Sequence, residues 1–328
     1  MRSEGSGRAA RTAAFFAADN ACLARILIGT YHTKFCSSSK SPDMLPAMAT
    51  KPRIAIVGPG RLGSALAVEL SRAGYRIAEI VSHRRSGRKS RQLARRLRAQ
   101  ASFHNNAALD ADLIWFCVPD REIAAAARAL ASKVEWNGKI AFHSSGALPS
   151  RELEALRRRG ASVASVHPMM TFVRGTIPSL KGVPFALEGD ASALRVARRI
   201  ARDLGGESFK IRAKDKVAYH AWGAFASPLL VALLVSAEQV ALAAGLSVGD
   251  ARKKMLPILR QTIENYGRLG PAGAFSGPLV RGDAEIVRRH LRVLRRIPAV
   301  KDVYVALART AVKHLPVQQR KRLQDTLN

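Results

Sequence analysis

Residues 58–63 read Gly-Pro-Gly-Arg-Leu-Gly and follow directly on the apolar run Ile54-Ala55-Ile56-Val57. That succession leaves few folds open. Four consecutive apolar residues suit a strand buried on both faces of a parallel sheet. The next stretch, 62–73, reads as a helix stopped at Gly74. A G-x-G-x-x-G turn means little alone, but between a strand and a helix it marks a loop shaped to approach a pyrophosphate. Gly58 permits the tight turn, Gly60 lets backbone and phosphate come close, and Gly63 lets helix and strand pack tightly. Arg61 and Leu62 open the helix, whose free N–H groups and partial positive charge suit an anion.

A second strand, over 76–81, comes at the distance that this dinucleotide-binding fingerprint requires. Chains that bind NAD usually place a carboxylate there for the ribose 2′-hydroxyl. Here the sequence is Ser82-His83-Arg84-Arg85-Ser86, without an acid. Two guanidiniums and a hydroxyl suit a 2′-phosphate, so the expected cofactor is NADP, held in part by Ser82, His83 and Arg84. The alternative is that Arg84 and Arg85 only extend a basic surface.

A basic helix follows, then strands over 113–118, 139–143, 162–166 and 183–187, with helices over 121–133 and 151–159. Alternation of this kind predicts a doubly wound parallel sheet, the Rossmann fold. From residue 214 onward only helices are expected, broken at Gly245, across 267–277 and at Pro298. The nearly continuous apolar stretch 221–244 raises the question of a membrane span. Glu238, Gln239 and Pro228 interrupt it, so it reads as a helix buried at the centre of an all-α domain. The expected organisation is an arm or misassigned start over 1–50, a Rossmann domain over 51–211, and a helical substrate and dimerisation domain over 212–328.

Ligands of such sheets bind outside the carboxyl ends of the strands. Val118 and Pro119 close one strand beside the cofactor groove. His143 ends the next, followed by Ser145, and His167 ends the one after. These residues are expected to line a substrate crevice; the competing reading is that each histidine is structural. Lys216 and His220 stand four residues apart, on one helix face. Either could give a proton to a carbonyl or imine as hydride arrives, unless both are merely solvated at a helix start. Arg281, in the polar segment Ser276-Gly277-Pro278-Leu279-Val280-Arg281-Gly282-Asp283, could hold a substrate carboxylate or simply pair with Asp283.

The chain carries 54 Lys and Arg against 24 Asp and Glu, a formal charge of +30. These cations recur along helices with apolar residues between them, as on a solvated surface. No helix-turn-helix or aromatic stacking pattern accompanies them, so specific nucleic-acid binding is not expected. Three cysteines without metal-ligand spacing suggest a reducing compartment, taken as the cytoplasm, and no metal site. Residues 1–47 are Ser-, Ala- and Arg-rich and poor in acids. They could form a transit peptide, a flexible arm, or a stretch upstream of a true start at Met48.

Taken together, several segments resemble a known family. They are Gly-Pro-Gly-Arg-Leu-Gly-Ser-Ala-Leu at 58–66, Val-Pro-Asp at 118–120, His-Ser-Ser-Gly-Ala-Leu at 143–148 and Ser-Val-His-Pro at 165–168. Ala-Leu-Glu-Gly-Asp at 186–190, Tyr-His-Ala at 219–221 and the segment 276–283 complete the set. They are similar to Rossmann-like NADP-binding proteins with a C-terminal helical domain of unassigned function. That domain is of the 6-phosphogluconate dehydrogenase C-terminal type. Pyrroline-5-carboxylate reductase, deazaflavin-dependent NADP oxidoreductases and ketopantoate reductase are relatives. The resemblance implies an oxidoreductase acting on a small 2-keto or imino acid, and a homodimer formed through the helical domain. The alternative is a catalytically silent NADP-binding regulator or scaffold. Two departures stand out: Met169-Met170 where the family has Leu-Gln, and Pro228 where it usually has Asn.

Overall fold

In the computed structural model, the described residues are 50–83 and 87–328. The expectations placed on residues 1–49, and the proposed contacts of Arg84, Arg85 and Ser86, lie outside them. Thr50–Asn328 form one compact unit.

That unit begins with alternating strands and helices. In chain order these are β1 (Ile54–Val57), α1 (Arg61–Arg72), β2 (Ile77–Ser82), α2 (Arg88–Leu97), β3 (Gln100–Phe103) and β4 (Leu113–Phe116). Then come α3 (Ile123–Ala131), β5 (Ile140–His143), α4 (Glu154–Arg157), β6 (Ser162–Pro168), β7 (Pro184–Gly189), α5 (Ala191–Asp203) and β8 (Glu207–Lys210). The sheet runs β3-β2-β1-β4-β5-β6-β7-β8. Strand order therefore reverses direction between β1 and β4, the switch point at which a crevice opens.

All four residues of β1 are buried, as are those of β4 and β5. Burial on both faces explains their unbroken apolar runs. One face packs α1, α2 and α5 through Leu66, Leu70, Ala94, Ala197 and Ile200. The other packs α3 and α4 through Ile123, Ala127, Leu130 and Leu156, with Trp136 beside them.

The sheet departs from the sequence reading in three ways. β3 and β8 are additional strands, and β7 runs antiparallel to β6. Reversal follows from the 169–183 connection, which holds no helix to carry the chain back across the sheet.

The remainder is helical among the described residues: α6 (Lys216–Ala226), α7 (Pro228–Ala243), α8 (Val248–Ala274), α9 (Ala284–Leu294), α10 (Pro298–His314) and α11 (Arg320–Leu327). Ser247 caps α8 by accepting a hydrogen bond from Asp250 N at 3.1 Å. Within α8, Gly270 takes φ 70° and kinks the helix just before Pro271. Helices α9, α10 and α11 share a small core of Val287, Ala308, Val312, Leu323 and Leu327.

The apolar stretch is not the buried core helix that the sequence suggests. Within Ala213–Ala243 an 18-residue window reaches a mean hydropathy of 1.7, enough in length and composition to cross a membrane, yet 6% of that window is buried in this chain. The backbone breaks at Ser227 (φ −126°, ψ −79°), where Pro228 starts α7. The 16 residues of α7 reach about 24 Å, short of the roughly 30 Å of a bilayer core. Trp222 is 58% exposed, Phe225 72% and Ile258 67%. Glu238, the buried residue of α7, accepts two hydrogen bonds from Arg252 at 2.8 and 3.1 Å. That bidentate pair fastens α7 to α8.

Candidate active site

The glycine turn sits at the switch point as expected. Gly58 has φ +95°, a backbone conformation costly for any residue with a Cβ. A Cβ on Gly63 would press into the Gly58 carbonyl oxygen and lie 2.9 Å from Cys117 Cβ, so this glycine serves close packing. Gly60 differs: a Cβ there would meet nothing within 4 Å. The protein itself does not explain a glycine at that position, whereas a phosphate lying against the backbone does.

Beside the turn opens a cavity of about 730 Å³, lined by Gly58, Gly60, Ser82, His83, Val118 and Pro119 among others. Arg61, Leu62 and Gly63 form the first turn of α1 and contribute its N-terminus. The sequence reading overlooked the far wall, formed by Glu122, Ala125, Ala126 and Ala129. It also overlooked His104 and Ser90. Cys117 lines the same cavity, and burial pushes its thiol pKa up, so it stays protonated and inert.

A second cluster lies where β5 and β6 meet the start of α6. Lys216, the first residue of α6, is 0% exposed. Its Nζ donates to Ser165 Oγ at 2.8 Å and to the Ser145 carbonyl at 3.1 Å. An ammonium has three donors, so one remains beyond these two. Burial pulls its pKa down to about 8, with Glu188 and Asp120 opposing. Ser145 is the hub of this cluster. Its Oγ donates to Asp120 at 2.7 Å and accepts from the backbone of Ala147 and Leu148. Its carbonyl also accepts from Ser165 Oγ.

One helical turn beyond Lys216, His220 stands exposed over Gly146. A Cβ on Gly146 would fall 2.8 Å from His220 Cδ2 and 2.9 Å from His167 Nε2. Glycine is therefore required for the two imidazoles to close on this loop. The rings of His167 and His220 are 6.3 Å apart. His167 Nδ1 shares a 2.7 Å hydrogen bond with the Tyr219 hydroxyl. Burial, then Lys216 and His220, push the His167 pKa down to about 4, so the ring is neutral at pH 7. Burial also raises Tyr219, to about 12.

The structure thus brings together Ser145, His167, Lys216 and His220, all of them expected from the sequence, and adds Asp120, Ser165 and Tyr219. His143 is a correction. It is 0% exposed, and its Nε2 lies 3.0 Å from the Pro149 carbonyl while its Nδ1 accepts from Ser145 N. Both ring nitrogens serve the 143–149 loop, so His143 shapes the crevice wall from within. Arg281 pairs with Asp283 at 3.3 Å, and its loop rests on the α10–α11 connection, where Gln318 N donates to the Val280 carbonyl. Its partner is Asp283, not a member of the Lys216 cluster.

A glycine turn at the switch point of a sheet ordered in this way, with an all-helical domain behind it, defines the Rossmann class with a helical C-terminal domain. Residues 39–168 match the Rossmann-like domain, and residues 183–311 match the Domain of unknown function DUF2520. The chain joins these two domains. The second match begins within the sheet, so β7, α5 and β8 fall in it.

Among solved structures, the chain is similar to an NADP oxidoreductase of Bacteroides fragilis (TM-score 0.66, 22% identity, 79% of this chain and 97% of that one). It is also similar to the protein TM1727 of Thermotoga maritima (0.63, 23%, 84% and 100%). A third is an imine reductase of Myxococcus stipitatus in complex with NADP+ (0.61, 19%, 84% and 100%). At these identities the likeness establishes the fold. No curated protein sequence matches the chain.

Proposed function

We propose that this protein is an NADP-dependent oxidoreductase that reduces a small 2-keto or imino acid. The observation that carries the reading is the open space at Gly60, at the mouth of a cavity of dinucleotide size, on the same sheet edge as a buried lysine. Structural neighbours include an NADP oxidoreductase and an imine reductase in complex with NADP+, which agrees with it.

A reduced nicotinamide bound here would supply hydride to a carbonyl or imine carbon. The chain's own task is to deliver a proton to the oxygen or nitrogen of that group. Lys216 and His220 reach the strand-end loops from one helix face. Lys216 is charged below pH about 8, and Ser165 and the Ser145 carbonyl fix its ammonium. His220 stands at the open side of the crevice. The neutral ring of His167, tied to Tyr219, offers hydrogen bonding without a competing charge.

The helical domain, on this reading, pairs with a second copy. Large side chains such as Trp222, Phe225, Leu229 and Ile258 are exposed together on α6–α8, more apolar surface than a monomer ordinarily leaves open. A symmetric partner presenting the same face would cover it.

The test is a titration with NADPH and NADH, followed by turnover of 2-keto and imino acids by the wild type, K216M and H220A. Tighter binding of NADPH and turnover of one such acid are expected. Loss of turnover in K216M, with NADPH affinity kept, would assign the proton to Lys216; the same outcome in H220A would assign it to His220. Firm NADPH binding with no turnover across the panel would favour the silent regulator, for which Pro228 in place of the usual Asn is the motive.

A further inference from the structure

Strands β2 and β3 pair in parallel with Ser82 opposite Phe103. The residues that follow each strand, His83 and His104, are therefore brought side by side. His104 N donates to the Ser82 carbonyl at 3.2 Å, which anchors the second histidine to the end of the first strand. The two imidazoles stack with centroids 4.9 Å apart and planes inclined by 23°. Both line the cavity that begins at Gly58 and Gly60.

The chemistry of this corner points to an anion. Stacking occupies the facing sides of the rings and leaves their edges for hydrogen bonds. His104 Nδ1 is buried with no hydrogen-bond partner among the described residues, an arrangement that is costly in the free chain and that a ligand or a half-turn of the ring can relieve. The other polar groups here are the hydroxyls of Ser82 and Ser90, which donate to the Ser102 and Gly87 carbonyls, and the N-terminus of α2, which follows Gly87 and offers backbone N–H donors. That helix has no acid in its first turn. Glu122 is the acidic residue lining the cavity, and it belongs to the opposite wall, just before α3. A free ribose hydroxyl calls for an acceptor such as a carboxylate, whereas this corner offers donors to a doubly charged phosphate monoester.

We infer that His104, contributed by β3 and stacked on His83, is a specificity residue that recognises the 2′-phosphate of the dinucleotide. The inference rests on the reading of this cavity as an NADP site. It adds a determinant from a different strand than the one ending in Ser82. His83 holds the ring of His104 in place, and the ring edges carry the discrimination.

The experiment uses the full chain and four probes: NADPH, NADH, 2′,5′-ADP and 5′-AMP. In H104F a flat ring remains to stack on His83, but both nitrogens are gone. The expected result is a loss of roughly tenfold in affinity for NADPH and 2′,5′-ADP, of the size of one lost charge-assisted hydrogen bond. Affinity for NADH and 5′-AMP should stay within about twofold, within the usual scatter of a mutation that touches no ligand group. H104N, which retains an N–H, should recover part of the loss. Equal weakening of all four probes would show that the ring acts by stacking or by supporting the fold, and would overturn the inference. So would unchanged affinity for all four. A wild type that prefers NADH and 5′-AMP would sink the NADP reading itself, whatever the variants do.

Discussion

The second and third glycines of the turn, Gly60 and Gly63, offer a sharp separation of folding from binding. Gly63→Ala places a methyl group against the Gly58 carbonyl oxygen and 2.9 Å from Cys117 Cβ. Both neighbours are held, one as backbone in a positive-φ turn and one at the end of β4. Overpacking against such neighbours costs about 1–3 kcal/mol. In a domain of this size that lowers the melting temperature by roughly 3–10 °C. Gly60→Ala meets no atom within 4 Å. Its cost to the fold is the poorer cap that alanine makes for α1, about 0.5–1 kcal/mol. The added methyl would stand where the pyrophosphate must approach. Loss of one or two charge-assisted hydrogen bonds to backbone N–H groups, about 1.5–3 kcal/mol each, weakens NADPH binding roughly 10- to 100-fold or more. Thermal melts without ligand and a fluorescence titration with NADPH read the two effects separately. G60A binding NADPH as tightly as wild type would refute the reasoning, as would G60A melting as low as G63A.

Four other outcomes follow from the site and the helices. If Lys216 donates the proton, the rate falls with rising pH through about 8, because the ammonium is the active form; a profile flat to pH 9 would exclude it. Since burial lowers this lysine's pKa, the unfolded chain binds the extra proton between pH about 8 and 10.5, and stability rises with pH across that window. Denaturant midpoints of wild type but not K216M should show that rise. His143 and His167, both lowered to about 4, act alike at lower pH: between 6.5 and 4 the unfolded chain takes up protons that the folded chain refuses. Stability therefore falls as the pH drops through that window, and H143Q should flatten part of the fall. Finally, W222E with F225E should convert a dimer into a monomer by light scattering; a wild type that is monomeric at tens of micromolar would contradict the pairing of α6–α8.

The parts legible in the sequence were those with strong local signals. β1 with its glycine turn, β4, β5 and α1 follow from unbroken apolar runs and from glycine chemistry. β3 and β8 escaped because Gln100-Ala101-Ser102-Phe103 and Glu207-Ser208-Phe209-Lys210 are edge strands, largely exposed and without an apolar period. His104 was missed along with the strand that positions it. The reversal of β7 has no trace in periodicity, which reports which face a residue occupies and not strand direction. His143 shows the same limit from another side, because a strand end can point its ring inward. The α7 sequence, apolar apart from Ser236, Glu238 and Gln239, reads as core because an exposed apolar face has the composition of an interior.

The position of Lys216 at the head of α6 has a consequence for dilution. The helix that seats the lysine between Ser145 and Ser165 also displays Trp222 and Phe225 about 9–14 Å further along. Under the proposed function, chemistry and pairing would share one short, stiff rod, so that contact at one end steadies the other. Specific activity should then decline when the protein is diluted below the concentration at which it pairs, and selection on the crevice would constrain how copies meet.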